Sequence, residues 1–333
     1  MRRMFLVLGV AALLVSGCKK DENVPATAGG GGMTTTNPSG PLKIAVIPKG
    51  TTHAFWRAVE AGAKDAGSTL GVDIIWKGPL KEDDRSAQIQ VVQQFVGQGV
   101  SGIVVAPLDS KALLQPVQLA GGQKIPVVIM DSALDGEVGK DFVSFVATDN
   151  KKGGELGGEQ LAKLLGGKGN VVLLRYAEGS ASTEAREAGF LEAIAKHPDI
   201  KLIVQNRYGG ATADSAAKAA LNIIDQIKQA DGIFCPNEST TAGMLAALQT
   251  AGLSGQKKFV GFDATSDLVR ALQNNEVQAL VAQNPYKMGY ESVTTLVKNI
   301  RNQKVEPRVD TGVYMITKDN LNQPEIQELL KRS

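Results

Sequence analysis

Cysteine is nearly absent: the 333-residue chain has two, Cys18 and Cys235. Cys18 belongs to an N-terminal segment of its own character, so no disulfide can form within the remainder, and Cys235 reads as a buried core thiol. Histidine is equally sparse, with His53 and His197 alone. Charge of one sign is lacking too. Lys and Arg number 36 against 34 Asp and Glu, a formal net charge of +2, and the basic residues are scattered, which argues against a nucleic-acid partner. The motifs of common enzyme classes are missing: no G-x-S-x-G elbow, no G-x-x-x-x-G-K-[ST] phosphate loop, no H-E-x-x-H, and no G-x-G-x-x-G opening the first helix. Asp149 with Asp131 or Asp263 is the one conceivable acid–base pair, and no substrate geometry supports it. The sequence therefore points away from an enzyme and calls for no cofactor or metal.

A long hydrophobic run is present only at the start. Arg2-Arg3 precede the apolar residues 4–15, which are too few to span a bilayer comfortably, and Ser16-Gly17-Cys18 follow. Residues 1–17 read as a secretion signal. Leu14-Val15-Ser16-Gly17-Cys18 resembles the bacterial lipobox, which implies cleavage before Cys18 and acylation of its thiol. Residues 18–41, rich in Gly, Thr, Asn and Pro and containing Gly29 to Gly32 in a row, predict a flexible lipidated tether holding the rest near a membrane.

From residue 42 the pattern alternates. Apolar strand-like runs at 42–47, 72–76, 102–106, 126–130 and 143–147 are separated by helical spacings at 54–70, 86–97 and 111–121. A second series follows, with strands at 170–174, 202–205, 232–235, 258–262 and 277–282 and helices between them, including one over 213–228. A helix over 286–301 and a strand over 311–316 close the chain. Two βα series of similar length predict an α/β protein of two doubly wound parallel-sheet lobes. Three of the buried runs end abruptly in polar groups: Val127-Val128-Ile129-Met130 in Asp131-Ser132, Ile233-Phe234-Cys235-Pro236 in Asn237-Glu238, and Phe259-Val260-Gly261-Phe262 in Asp263. Ligands bind outside the carboxyl ends of parallel strands, so these tips predict a polar small-molecule cleft.

Several of these stretches resemble the ribose-binding-like group of periplasmic sugar-binding proteins, the substrate-capturing parts of ABC importers, over about residues 42–318. The residues that carry the likeness are Ile44-Ala45-Val46-Ile47 with His53-Ala54-Phe55-Trp56, Val128-Ile129-Met130-Asp131, Ala147-Thr148-Asp149-Asn150 and Arg186-Glu187-Ala188-Gly189-Phe190. Phe234-Cys235-Pro236-Asn237-Glu238, Val260-Gly261-Phe262-Asp263 and Val281-Ala282-Gln283-Asn284-Pro285 complete the series. The resemblance implies the type I periplasmic binding protein fold, with three hinge crossovers near Thr148, near Asn284 and near Asp310 to Gly312. One lobe would comprise residues 42–147 plus 284–309, the other 148–283 plus 310–333. It implies a monomeric receptor that closes on a small sugar or polyol and docks on a membrane permease.

Asp131 and Asp263 are then the expected acceptors of ligand hydroxyls, since charge-assisted bonds are roughly twice as strong as neutral ones; otherwise each would cap the following helix. Arg186 offers a fork of donors, and Asn237 can donate and accept. Gln283 lies beside a crossover. Phe55 and Trp56 present aromatic faces to a ring, the indole adding an N–H, with core packing as the other role for either. His53 stands where ribose-type members carry an asparagine. Ser132 replaces an arginine of ribose binders and no aromatic falls near Ala211, so the resemblance implies "sugar or polyol" and not ribose. Two rival readings are a sensory module docking on a membrane receptor and a secreted sugar-active enzyme. A regulator of the same superfamily would need a helix-turn-helix before Leu42, where the tether stands instead.

Overall fold

The computed structural model describes residues 40–332. The segment expected to hold a secretion signal and a lipidated tether, Cys18 included, lies outside the described residues. The first series is β1 (Lys43–Ile47), α1 (Ala54–Leu70), β2 (Asp73–Trp76), α2 (Arg85–Gly97), β3 (Gly102–Val105), α3 (Leu114–Gly122), β4 (Val127–Met130) and β5 (Ser144–Ala147). The second is α4 (Asn150–Leu165), β6 (Lys168–Arg175), α5 (Ala181–Ile194), β7 (Asp199–Tyr208), α6 (Ala213–Leu221), α7 (Ile224–Gln229), β8 (Gly232–Phe234), α8 (Glu238–Thr250), β9 (Lys258–Phe262), α9 (Ser266–Gln273) and β10 (Ala279–Gln283). The chain ends with α10 (Pro285–Ile300), β11 (Arg308–Asp310), β12 (Val313–Ile316) and α11 (Pro324–Leu330).

The strands form two six-stranded sheets, ordered β11-β5-β4-β3-β1-β2 and β12-β10-β9-β8-β6-β7. The two orders are the same with β6–β10 standing for β1–β5, so the halves repeat one doubly wound plan. Central strands such as β3 and β4 are buried along their whole length, which is why they read as unbroken apolar runs and not as alternating ones. The chain passes between sheets at residues 148–149, 284 and 311–312.

Three expectations need correction. The second sheet is not wholly parallel, because β12 runs antiparallel to β10. The strand expected over 311–316 is the shorter β12 in the second sheet, and a further strand, β11, precedes it in the first sheet on the other side of the last crossover. The helix expected over 213–228 breaks at Asn222–Ile223, where buried Ile223 turns into the core. The short terminal helix α11 carries too few apolar residues to show as a periodic pattern.

Helix pairs on each sheet are held at very short range. A Cβ on Gly154 of α4 would lie 1.8 Å from the Arg186 carbonyl oxygen, and one on Gly289 of α10 would lie 2.0 Å from that of Val59. Only glycine permits these approaches, and the first of them fixes the helix that carries Arg186.

Candidate functional site

The carboxyl ends of both sheets face a cavity of about 330 Å³. All eight residues named from the sequence, His53, Phe55, Trp56, Asp131, Arg186, Asn237, Asp263 and Gln283, stand on its wall. Lys49, Glu82, Tyr176, Ser182, Thr183 and Glu238 join them, and the sequence reading had passed over these six.

Asp131 and Asp263 each follow a buried strand and adopt left-handed backbone angles, φ 62° and 70°. This conformation is uncommon outside glycine, although a short polar side chain tolerates it; it turns the chain sharply at the strand tip. The Asp131 N–H donates to the Val146 carbonyl at 3.0 Å and the Asp263 N–H to that of Val281 at 2.8 Å. Neither carboxylate caps its own following helix. The cap of α9 is Thr265, whose hydroxyl accepts from the Leu268 N–H at 3.4 Å.

Charges in the cavity are paired. Lys49 Nζ lies 3.1 Å from Asp131 Oδ2, with both side chains about one-twentieth exposed, and it donates to Ser182 Oγ at 2.9 Å. His53 Nδ1 lies 3.1 Å from Glu82 Oε1. Glu82 also accepts from Trp56 Nε1 and from the Tyr176 hydroxyl at 2.5 Å. Burial pushes the His53 imidazole down, but the charge and hydrogen bond of Glu82, aided by Glu238 and Asp263, outweigh it and raise the pKa to about 9. The same pairing, with Lys49 and Tyr176, overcomes the burial that would raise Glu82 and holds it at about 2. Burial raises Asp263 to about 6 against the opposing pull of Arg186 and Gln283.

Arg186 is 2% exposed and sits inside α5. Its Nε donates to Asn150 Oδ1 at 2.8 Å and its Nη1 to the Pro236 carbonyl at 3.0 Å. The guanidinium stacks on Phe262, 4.0 Å from the ring centroid, leaving further N–H groups for a guest. Gln283 donates to Asp263 Oδ1 at 2.8 Å, and its own Oε1 is buried without a partner. Such an orphan acceptor is expensive unless a ligand donor reaches it.

Two side chains are more occupied than their residue types suggested. The Trp56 indole N–H is spent on Glu82, so the ring offers its face alone. Asn237 is the cap of α8, accepting from the Thr240 N–H at 3.2 Å and the Thr240 hydroxyl at 2.7 Å while donating to Ser239 Oγ. Phe55 and Trp56 pack edge to face, 4.9 Å between centroids, belong to the first core and line the cavity.

Contacts cross between the lobes around the whole rim. Glu238 accepts from the N–H groups of Ala54 and Phe55 at 3.1 and 3.0 Å, capping α1 from the opposite lobe where His53 supplies no side-chain cap. Ser182 N–H donates to Ser132 Oγ at 3.1 Å, and the Tyr176–Glu82 bond adds a third bridge. Of the missed residues, Glu82 had no signal, since it lies in the run Lys81-Glu82-Asp83-Asp84 that reads as a solvated loop. Glu238 had one, standing at a strand tip beside Asn237.

Two α/β lobes joined by three connections, with a paired-charge hollow between their facing strand tips, define a binding protein of the hinged two-lobe class. The chain belongs to the periplasmic binding protein family, matching the periplasmic binding protein domain over residues 44–304. It is 30% identical to the D-allose-binding periplasmic protein of Escherichia coli (strain K12) over 284 residues, covering 83% of this chain and 90% of that one. A xylitol-binding protein of Mycolicibacterium smegmatis is 29% identical over 258 residues, 75% of this chain and 70% of the relative. Among solved structures, a carbohydrate transporter solute binding protein from Agrobacterium radiobacter in complex with D-arabinose is 32% identical, with a TM-score of 0.83 over 87% of this chain and 99% of that one.

Proposed function

We propose that this chain is the solute-binding component of an ABC importer and captures one monosaccharide or small polyol between its lobes. The observation that carries the reading is the cavity wall itself: acceptors at Asp131, Asp263 and the unpartnered Gln283 Oε1, donors at Arg186, and the aromatic faces of Phe55 and Trp56 line one cavity. Each buried hydroxyl of a guest must find a partner or lose about 1–3 kcal/mol, and this wall offers both donors and acceptors. Lys49 is matched by Asp131 and His53 by Glu82, while Arg186 and Asp263 share one field, so the fitting guest is uncharged. The names of relatives that bind D-allose, D-arabinose and xylitol support the same class.

In this reading the lobes are residues 42–147 plus 284–309 and 148–283 plus 310–333, rotating about the three crossovers. The permease recognises the closed form, whose population rises only as far as the ligand prefers it. Residues 1–17 direct secretion, and Cys18 carries lipid that holds the protein at a membrane. A thermal-shift and calorimetric screen of pentoses, hexoses and polyols tests the binding reading, with stabilisation and no turnover as the expected result. A panel in which no member raises the melting temperature would sink it. Membrane fractionation of Cys18→Ala tests the anchor, the expected outcome being release from the membrane pellet.

A further inference from the structure

Glu82 and Tyr176 face two hollows at once. On one side they line the central cavity. On the other they line an outer groove of about 840 Å³, whose remaining walls include Asp83, Arg85, Glu178 and Ser180. Among the described residues around these two hollows, no others are shared between them. Glu82 comes from the loop after β2 and Tyr176 from the loop after β6, so the wall is built half from each lobe and is complete only when the lobes meet.

We propose that the Glu82–Tyr176 pair is a partition that sets the size limit of the ligand, confining it to a single sugar ring or short polyol. The proposal rests on the sugar-binding reading and adds what decides ligand length. The pair is rigid for a physical reason. Glu82 is 8% exposed and receives three donors, from His53, Trp56 and Tyr176; bonds to a buried carboxylate are short and strong. Tyr176 is 2% exposed, and its N–H is held by Glu187 Oε1 at 3.1 Å. The outer groove has more than twice the empty volume of the central cavity and is lined with hydroxyls and charges that suit a second ring. Taking the wall away should join the two spaces.

The test uses the best monosaccharide from the screen and disaccharides that carry it as one unit through each available linkage. The wild-type protein is expected to bind the monosaccharide and reject the disaccharides. Tyr176→Ala is expected to gain affinity for at least one disaccharide by about tenfold, or about 1.4 kcal/mol, and Glu82→Ala approaches the same opening from the other lobe should the first variant fold poorly. A second readout needs no sugar. Trp56 stands beside the partition, and in a Trp76→Phe background it is the sole tryptophan. Acrylamide quenching of its fluorescence should rise in Tyr176→Ala toward that of an exposed indole. Variants that still bind the monosaccharide but admit no disaccharide, or quenching unchanged from the parent, would overturn the partition. A wild-type protein that binds no sugar would instead overturn the functional reading, and the quenching result would still judge the wall.

Discussion

The two lobes solve one problem with different chemistry. Asp131 after β4 and Asp263 after β9 hold equivalent places in sheets of the same strand order, with the same left-handed turn and the same backbone bond to the neighbouring strand. In the first lobe the carboxylate is paired with a cation, Lys49. In the second it accepts from an amide, Gln283 Nε2, and from the N–H of Glu238, each at 2.8 Å. A repeated backbone thus fixes where the acids stand, while the groups around them differ, an ammonium in one lobe and neutral N–H donors in the other.

Lys49→Met should break the comparison most severely. It leaves Asp131 buried without its counter-ion, a defect worth about 3–5 kcal/mol, read as a lowered urea midpoint. Gln283→Leu removes only a neutral partner, and a loss of about 1–2 kcal/mol is expected; equal losses from the two variants would mean that the lobes are not distinguished by charge. Next comes pH. Asp263 titrates at about 6 in the folded protein against an ordinary 3.8, so the folded state holds a proton that the unfolded chain releases in this range. Stability from this group is present below pH 4 and lost as pH rises through 6. Ligand affinity should move the other way, since the ionised form is the better acceptor, falling about tenfold from pH 7 to pH 5. Asp263→Asn should flatten the affinity profile measured by titration calorimetry. In the first lobe His53, raised from 6.5 to about 9, contributes stability that is full below pH 6.5 and lost as pH rises through 9; melting curves from pH 7 to 10 should show this loss, and His53→Gln should remove it. The smallest effect belongs to Glu238→Ala, which takes the interlobe cap from α1. A change of about 0.5–1 kcal/mol, seen as a few-fold weaker affinity, is expected.

The fold was legible because its central strands are buried along their length and its helices are spaced between them, so that β1 to β10 follow from period and punctuation. The strand-tip acids were legible for the same reason: an apolar run that stops at Asp131 or Asp263 has few other uses for a carboxylate. The direction of β12 was not, since four residues such as Val313–Ile316 pair equally well either way until the last crossover fixes their approach. Nor were Lys49, Glu82 and Tyr176. Each owes its role to the loop or lobe it meets, and Glu82 sits among acids that look solvent-facing until Trp56, His53 and Tyr176 converge on it. Nothing local to those residues records that convergence.

The triple passage between sheets also governs when the protein can fold. Helix α10 covers the face of the first sheet with Met288, Val293 and Leu296 packed on Val104, Val128 and Val146, yet it is among the last elements synthesised. That face stays bare on a growing chain until residue 300 has emerged, and the edge strands β11 and β12 come later still. The first half cannot finish before residue 310 has emerged, nor the second before residue 316, so the nascent polypeptide remains pliable until then, and exposed apolar surface of this kind invites a chaperone's attention.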